Sequence, residues 1–577
     1  MPNADGAQAV GTVGSLAPTL AFSTFLTGAS PFDVSVGPDG AVYLTGAAAA
    51  GFKTQNAFQS MVRGPLDAFV MKIDVARGRV VYASFLGGEG EDRGVAIAVD
   101  AAGNAYLGGY TDSFEFPVRN AFQPHIGVDA GGSAGGGDGF VAKIDPSGAL
   151  VSSTYFGGDQ NDSIKDLTVD ANGSVCVAGH TWSPDLPTVR ALQPTFDGGP
   201  NSPSAFVAEF TPAGDDLVFS TYLGGAASTD VARGVAIATD ESIAVVGYTY
   251  SADFPVVGPA QANIGGGADA FVTRLAPAGT AVVFSTFLGG SEDDIAASVA
   301  FDPGGAVYVC GVTRSPNLPT TADALEGEYQ GGVSPGPSSP DDGFLAKVAS
   351  NGASFEYASY LGGSGEDYAF DTGVDERGNV YVTGCTASTE YPVTPNALQS
   401  VYGGDDSSSG FPQGDVFVTC LSSADFEPLY STFLGGAGTE IGYGVAVRPN
   451  GTAIIVGFTE SKTFPLVRPL ADRFRRNFSV GYVAELTAPF PSIASAVFDS
   501  SAAALTIVAS GSLNGDVAVD VDGVRVSPPR RAAVNTRKGR VRVKGTAAEL
   551  HVDGAGEHSV LLVVDGVVSD PHAVELR

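Results

Sequence analysis

Basic residues are scarce in this chain. Thirty Lys and Arg stand against 63 Asp and Glu in 577 residues, a formal net charge of −33. A nucleic-acid partner is not expected, because displacing counterions from a phosphate backbone demands a basic face. The acidity fits an exported, highly soluble protein, and equally fits a plain demand for solubility. Cysteine is also sparse: Cys176, Cys310, Cys385 and Cys420 are the whole set. None lies in a CxxC pair, so a zinc framework is not expected. Cys385 and Cys420 fall on neighbouring strands of one repeat and could meet; small buried thiols are the other reading. Long apolar runs are missing, and with them any expectation of a transmembrane segment. Residues 1–14 lack the basic start and apolar core of a signal peptide, so an exported form would take its leader from outside this sequence. Residues 1–19 read as a flexible leader. The five histidines (His125, His180, His551, His558 and His572) are scattered. There is no HExxH, and GxSxG occurs only within the Gly- and Ser-rich loops, at 131–135 and 332–336, not at a strand-to-helix elbow.

What the chain has in abundance is repetition. A Phe-Leu-Gly-Gly phrase places its landmark residue at Leu26, Leu86, Phe156, Leu223, Leu288, Leu361 and Leu434, about 60 to 73 residues apart. With 78 Gly and 35 Pro, the composition suits many short strands joined by turns. Each repeat contains four strand-like runs, which predicts four-stranded propeller blades. Innermost strands are expected near Phe32, Gly94, Lys165, Gly234, Ala297, Phe370 and Gly444. Third strands are expected near Ala68, Gly139, Ala205, Ala270, Gly343, Val416 and Gly481. Seven fourth strands exist, but the first, residues 20–26, precedes the first innermost strand. The last repeat ends at its third strand. The economical solution pairs 20–26 with that last blade, closing a seven-bladed ring over residues 20–488 without a free edge.

The phrases Ser153-Thr154-Tyr155-Phe156-Gly157-Gly158, Asp100-Ala101-Ala102-Gly103-Asn104-Ala105-Tyr106, Phe116-Pro117 and Asp138-Gly139-Phe140-Val141-Ala142-Lys143 recur with small changes. This pattern over residues 20–487 resembles the SBBP family, the seven-bladed beta-propeller repeat. The resemblance implies an all-β, exported or surface-associated bacterial propeller and no particular activity. The first repeat departs from it, with Phe52-Lys53 where Phe-Pro is expected.

After Pro489 the phrase stops. Residues 489–577 read as short alternating strands at 505–509, 517–521, 541–544, 549–552 and 559–564, with Asp522-Gly523 and Asp565-Gly566 as hairpin turns. This stretch resembles the Ig-like modules at the ends of bacterial surface proteins, a small β-sandwich. Arg530, Arg531, Arg537, Lys538, Arg540, Arg542 and Lys544 make it locally basic.

Candidate site residues fall in two loop sets that open on one face. Acids follow the Gly-Gly pairs: Asp92, Asp162, Asp230, Asp294, Asp367 and Glu440. Ringed around a channel mouth, they could bind Ca²⁺ or a cationic group; alternatively, each caps a turn. Asp67, Asp138, Asp269, Asp342 and Asp415 head the third strands. Thr111, Thr181, Thr249, Thr313, Thr386 and Thr459 close the second strands, which suggests an Asp–Thr clasp in each blade. His180 and the single tryptophan, Trp182, break the repeat symmetry, and His125 lies in the long loop of the second repeat. A His–Trp pair beside a channel could stack a sugar and supply a general acid or base. Asp92, Asp294 and Asp367 join them as candidate ligand contacts. The Gly-, Ser- and Asp-rich loops 127–138, 327–342 and 402–415 could form a rim.

These features lead to an expected non-enzymatic binding or scaffold propeller, extracellular, periplasmic or on the cell surface. It would engage a glycan, peptide or protein, with no required cofactor beyond possible Ca²⁺. One alternative is a polysaccharide lyase or hydrolase using His180 with Asp162 or Asp230. Another is self-assembly, the basic C-terminal stretch docking on the acidic propeller of another copy.

Overall fold

Each repeat folds into one antiparallel four-stranded sheet, and seven such sheets are present in this computed structural model. It describes residues 17–128, 136–199, 202–226, 228–331, 341–404, 414–472 and 480–487, and beyond 491 only strand backbones. The second blade shows the plan: Asp92–Val99 innermost, then Ala105–Thr111, Asp138–Ile144 and Leu150–Phe156. The seventh blade consists of Glu440–Val447, Ala453–Thr459 and Val480–Thr487, with Thr19–Leu26 hydrogen-bonded outside them. The N-terminal strand thus supplies the outer strand of the last blade. Ser23 N–H donates to the Val467 carbonyl at 2.8 Å and Val467 N–H donates back to Ser23 Oγ at 2.7 Å.

The blades cohere because alternate residues of every strand face a neighbouring blade. Third strands carry Phe69, Phe140, Phe206, Phe271, Phe344 and Phe417, all fully buried. The Phe-Pro loop drops a second ring beside the first. Phe116 sits 4.7 Å from Phe140 and 5.8 Å from Tyr155, and Tyr391 sits 4.6 Å from Phe417. Phe52 keeps this place in the first blade, 5.0 Å from Phe69, although Lys53 replaces proline. The ring does this packing, so the missing proline costs the cluster nothing.

The Asp-x-x-Gly-Asn turn is also explained. Asp100 Oδ1 accepts the Ala102 and Asn104 N–H groups, both at 2.9 Å, while Gly103 takes φ +83°, the left-handed region that favours glycine.

One expectation needs correction. The innermost strands begin at Ala29, Asp92, Asp162, Asp230, Asp294, Asp367 and Glu440, earlier than their apolar runs suggested. The acid at the strand head is buried and bonded, so its charge does not mark a loop. The expected starting points lie instead at or beside a β-bulge. It leaves Phe32, Val95, Lys165, Arg233, Ala297, Phe370 and Tyr443 without a ladder partner. The cysteines are free and buried. Cys420 opposes Tyr381 while Cys385 opposes Val416, so these two thiols sit apart along the strands.

The chain divides into two compact units, one of them Leu20–Leu486. In the other, strands from Ser492–Asp499 to His572–Leu576 form two antiparallel sheets, of four and five strands. Residues 1–16, the expected strand 549–552, Arg530, Arg531, Arg537 and Lys538, and the centres of the three long loops lie outside the described residues.

Candidate ligand-binding site

The acids after Gly-Gly come first, because their placement decides what they can do. Asp92, Asp162, Asp230, Asp294, Asp367 and Glu440 each open an innermost strand and are fully buried. Each is tied both to its own blade and to the Gly-Gly pair that follows the fourth strand of the preceding one. Asp162 Oδ2 accepts Gly158 N–H at 2.7 Å and Ser183 Oγ–H at 2.8 Å. Asp367 Oδ2 accepts Gly363 N–H at 2.8 Å and Ser388 Oγ–H at 2.7 Å. The closing threonine bonds this same acid, as Thr249 to Asp230, Thr313 to Asp294 and Thr459 to Glu440. The clasp is therefore Thr with the strand-opening acid of the innermost strand. The third-strand aspartate takes a different partner.

That partner is a glutamine the sequence reading passed over. Gln59, Gln123, Gln261 and Gln399 donate Nε2–H to Asp67, Asp138, Asp269 and Asp415 at 2.7–3.0 Å. Their Oε1 atoms accept the first glycine N–H of the Gly-Gly pair, at 3.2 Å for Gly87 and 3.1 Å for Gly157. A recurring Ala-x-Gln, with the Thr-x-Ser that supplies Ser113, Ser183 and Ser388, was the available signal. Each Gly-Gly thus lies between two buried carboxylates. A Cβ on Gly157 would come 2.6 Å from Asp138 Cγ and 2.6 Å from Asp162 Oδ2, which explains the glycine. Burial pushes Asp92, Asp230 and Asp294 up to about 6, Asp162 and Asp415 to about 7, and Asp138 to about 8. Among the described residues no three His, Cys, Asp or Glu side chains gather to hold a metal ion. The six acids are placed one to a blade, and the residues present do not form a calcium cradle.

The channel is different. A cavity of about 400 Å³ on the axis is lined by the bulge residues Phe32, Val95, Lys165, Arg233, Ala297, Phe370 and Tyr443. Asp33, Asp166, Ser298 and Asp371 complete its wall. Those aspartates spend their oxygens on the next blade: Asp33 Oδ2 accepts Ile97 N–H, Asp166 Oδ2 accepts Val235 N–H and Asp371 Oδ2 accepts Val445 N–H, each at 2.7 Å. They are staples between innermost strands. Burial and mutual repulsion raise Asp33 well above the usual carboxylate range.

The lining is two-sided. Phe32 and Phe370 each lie 5.7 Å from Tyr443, and Tyr368 stacks on Phe370 at 5.8 Å, so blades six, seven and one present a continuous aromatic wall. Blades three and four present Lys165 and Arg233. The Arg233 guanidinium lies 5.5 Å from the Tyr248 ring centroid.

His180 belongs to this cationic side, one residue before Thr181 and opposite Ser163 on the innermost strand. Its Nδ1 is buried and has no hydrogen-bond partner among the described residues. Burial, then Lys165 and Arg233, push its pKa down to about 3, so the ring is neutral at physiological pH. Half-buried Trp182 follows, its N–H donating to the Asn161 carbonyl at 2.9 Å. Tyr250 holds the matching place in the next blade, is 45% exposed, and lies 6.2 Å from Tyr248. His125 is elsewhere. It is exposed, with Gln123 bonding its carbonyl, where the loop runs beside the outermost strand of blade two. The structure therefore brings His180 and Trp182 to one sector and leaves His125 outside it. Asp162 and Asp230 lie locked in the same two blades.

No known protein-family profile matches the chain. It is 27% identical over 332 residues to the regulatory protein FlaEY of Caulobacter vibrioides, covering 55% of this chain and 32% of that protein. The match thus spans about a third of that relative's length. Solved structures with a similar course include a fungal alcohol oxidase in complex with copper: 11% identity, 97% of this chain, 99% of that chain, TM-score 0.41. A protein of unknown function from Dyadobacter fermentans is 12% identical over 83% of this chain and 100% of that one, TM-score 0.37. Quinohemoprotein alcohol dehydrogenase from Comamonas testosteroni is 12% identical over 82% and 77%, TM-score 0.38. At such scores the likeness carries no argument about activity.

Proposed function

We propose that the propeller is a non-enzymatic binding module whose recognition surface is the channel mouth at blades three and four. The ligand is a glycan, peptide or protein met at the cell surface or outside the cell. The C-terminal strands, read as an Ig-like sandwich, serve as spacer or docking piece. One observation carries this reading: the residues that break the repeat collect where a ligand could touch them. Lys165 and Arg233 stand at the bulge, His180 and Tyr248 before the closing threonine, and Trp182 and Tyr250 after it. The repeated polar residues are consumed by backbone bonds. A catalytic reading on His180 has less support, since its two expected carboxylate partners are fully buried and already bonded.

The test is a glycan and peptide array probed with the full chain and with His180→Ala/Trp182→Ala. Binding by the first and its loss in the second is the expected result. Release of a cleaved product from any bound ligand would replace this reading with an enzymatic one.

A further inference from the structure

We propose that the channel holds a carboxylate borne on a six-membered ring, the acid group on Lys165 and Arg233 and the ring face on Phe370 and Tyr443. This rests on the binding-module reading and names its ligand class. The protein carries a net charge of −33, so cations are few, and several of those among the described residues are spent in ion pairs. Lys72, Arg274 and Lys347 each pair with an aspartate. Lys165 and Arg233 are not so spent. They line one cavity from adjacent blades. The charges that act on Lys165 are those of Arg233 and Arg93, both of its own sign. The three aspartates that share the cavity wall are turned to other donors: Asp166 to Val235 and Leu167 N–H at 2.7 and 2.8 Å, Asp33 to Ile97 and Val34 N–H, both at 2.7 Å, and Asp371 to Val445 and Thr372 N–H at 2.7 and 2.8 Å and Ser298 Oγ–H at 2.6 Å.

Two like charges held together in a partly closed space cost free energy unless an anion joins them. The buried Nδ1 of His180 is a second group in this sector without a hydrogen-bond partner among the described residues. A guanidinium fork beside an ammonium matches a carboxylate. The opposite wall is aromatic: Tyr443 stands edge-on to Phe32 and tilted by 55° against Phe370, and the Phe370 ring stacks on Tyr368. A cavity of about 400 Å³ accommodates one or two rings. The ring acid has two chemical sources, a uronic acid at the end of a glycan or an aromatic acid.

Isothermal titration of the full chain with glucuronate, benzoate, glucose and inorganic phosphate tests this. We expect at least one ring acid to bind, with glucose and phosphate much weaker. The better acid identifies the source, glucuronate for a glycan and benzoate for an aromatic acid. Lys165→Met and Arg233→Gln should each weaken that binding about tenfold or more, the loss of one charge-assisted hydrogen bond. Phe370→Ala should weaken it while leaving phosphate unchanged. Equal binding of glucose overturns the anion assignment yet leaves a binding module standing. Equal binding of phosphate overturns the ring assignment. Absence of binding by both acids, with array binding intact in Lys165→Met, overturns the proposal alone. The wild-type comparison decides even if a variant is unstable.

Discussion

At the scale of the residue, the repeated acid is an internal fastener. Asp367 accepts bonds from Gly363 and Ser388, with Thr386 as a third donor; burial outweighs these bonds and raises its pKa to about 6. Asp367→Ala would strand these donors in a buried place. We expect it to cost about 3 kcal/mol in urea unfolding, with Asp367→Asn costing less. A stability loss near zero would return this residue to the pool of ligand contacts. The variable residues should behave in the opposite way. Lys165 sits at a bulge without a ladder partner, so its replacement should change binding and leave the unfolding midpoint nearly unchanged.

At the scale of the element, the closing strand deserves the sharpest test. Phe22, Phe25 and Leu26 are buried in the seventh blade, each worth about 1.5–3 kcal/mol of apolar burial. Removing residues 1–28 would leave Val480–Thr487 as an open edge. We expect that truncation to associate or aggregate in size-exclusion chromatography, and a 17–28 peptide added in trans to restore the monomer. A truncated chain that stays monomeric and unfolds at the same midpoint would refute closure by this strand. The closure was legible in sequence because the fourth-strand set ran one place ahead of the others. The starts of the innermost strands were not, because a charged head residue resembles a loop until its burial is known. The site was half legible. His180 and Trp182 stood out as exceptions to the repeat. Lys165 and Phe370 were visible only as strand markers and Arg233 was not singled out, since apolar periodicity does not reveal a bulge that turns one residue to the axis.

At the scale of the whole molecule, buried carboxylates set the response to pH. Asp92, Asp230 and Asp294 are raised to about 6, Asp162, Asp342 and Asp415 to about 7, and Asp138 to about 8. The folded ring holds these protons more tightly than the unfolded chain does. Its stability therefore grows as pH falls through 8 to 6, is complete below the ordinary carboxylate value, and is lost as pH rises again. The turn aspartates Asp100, Asp145 and Asp240 are shifted the other way and lose their contribution at lower pH. Neutralising part of the −33 charge adds to the first trend. Differential scanning calorimetry should show a midpoint several degrees higher at pH 5 than at pH 8, falling again below pH 4. A midpoint that climbs steadily from pH 5 to pH 8 would contradict this.

The bulge at the heart of every blade has one more consequence. A residue left out of the backbone ladder can be exchanged without breaking a ladder bond, although Arg233 and Tyr443 also rest on rings of the next strand, Tyr248 and Phe458. Seven such positions encircle the axis, with Phe32, Tyr443 and Phe370 coupled to one another by ring contacts. The same scaffold can thus be re-specified for a new guest by a handful of substitutions, and directed evolution confined to those seven codons should yield folded variants at high frequency.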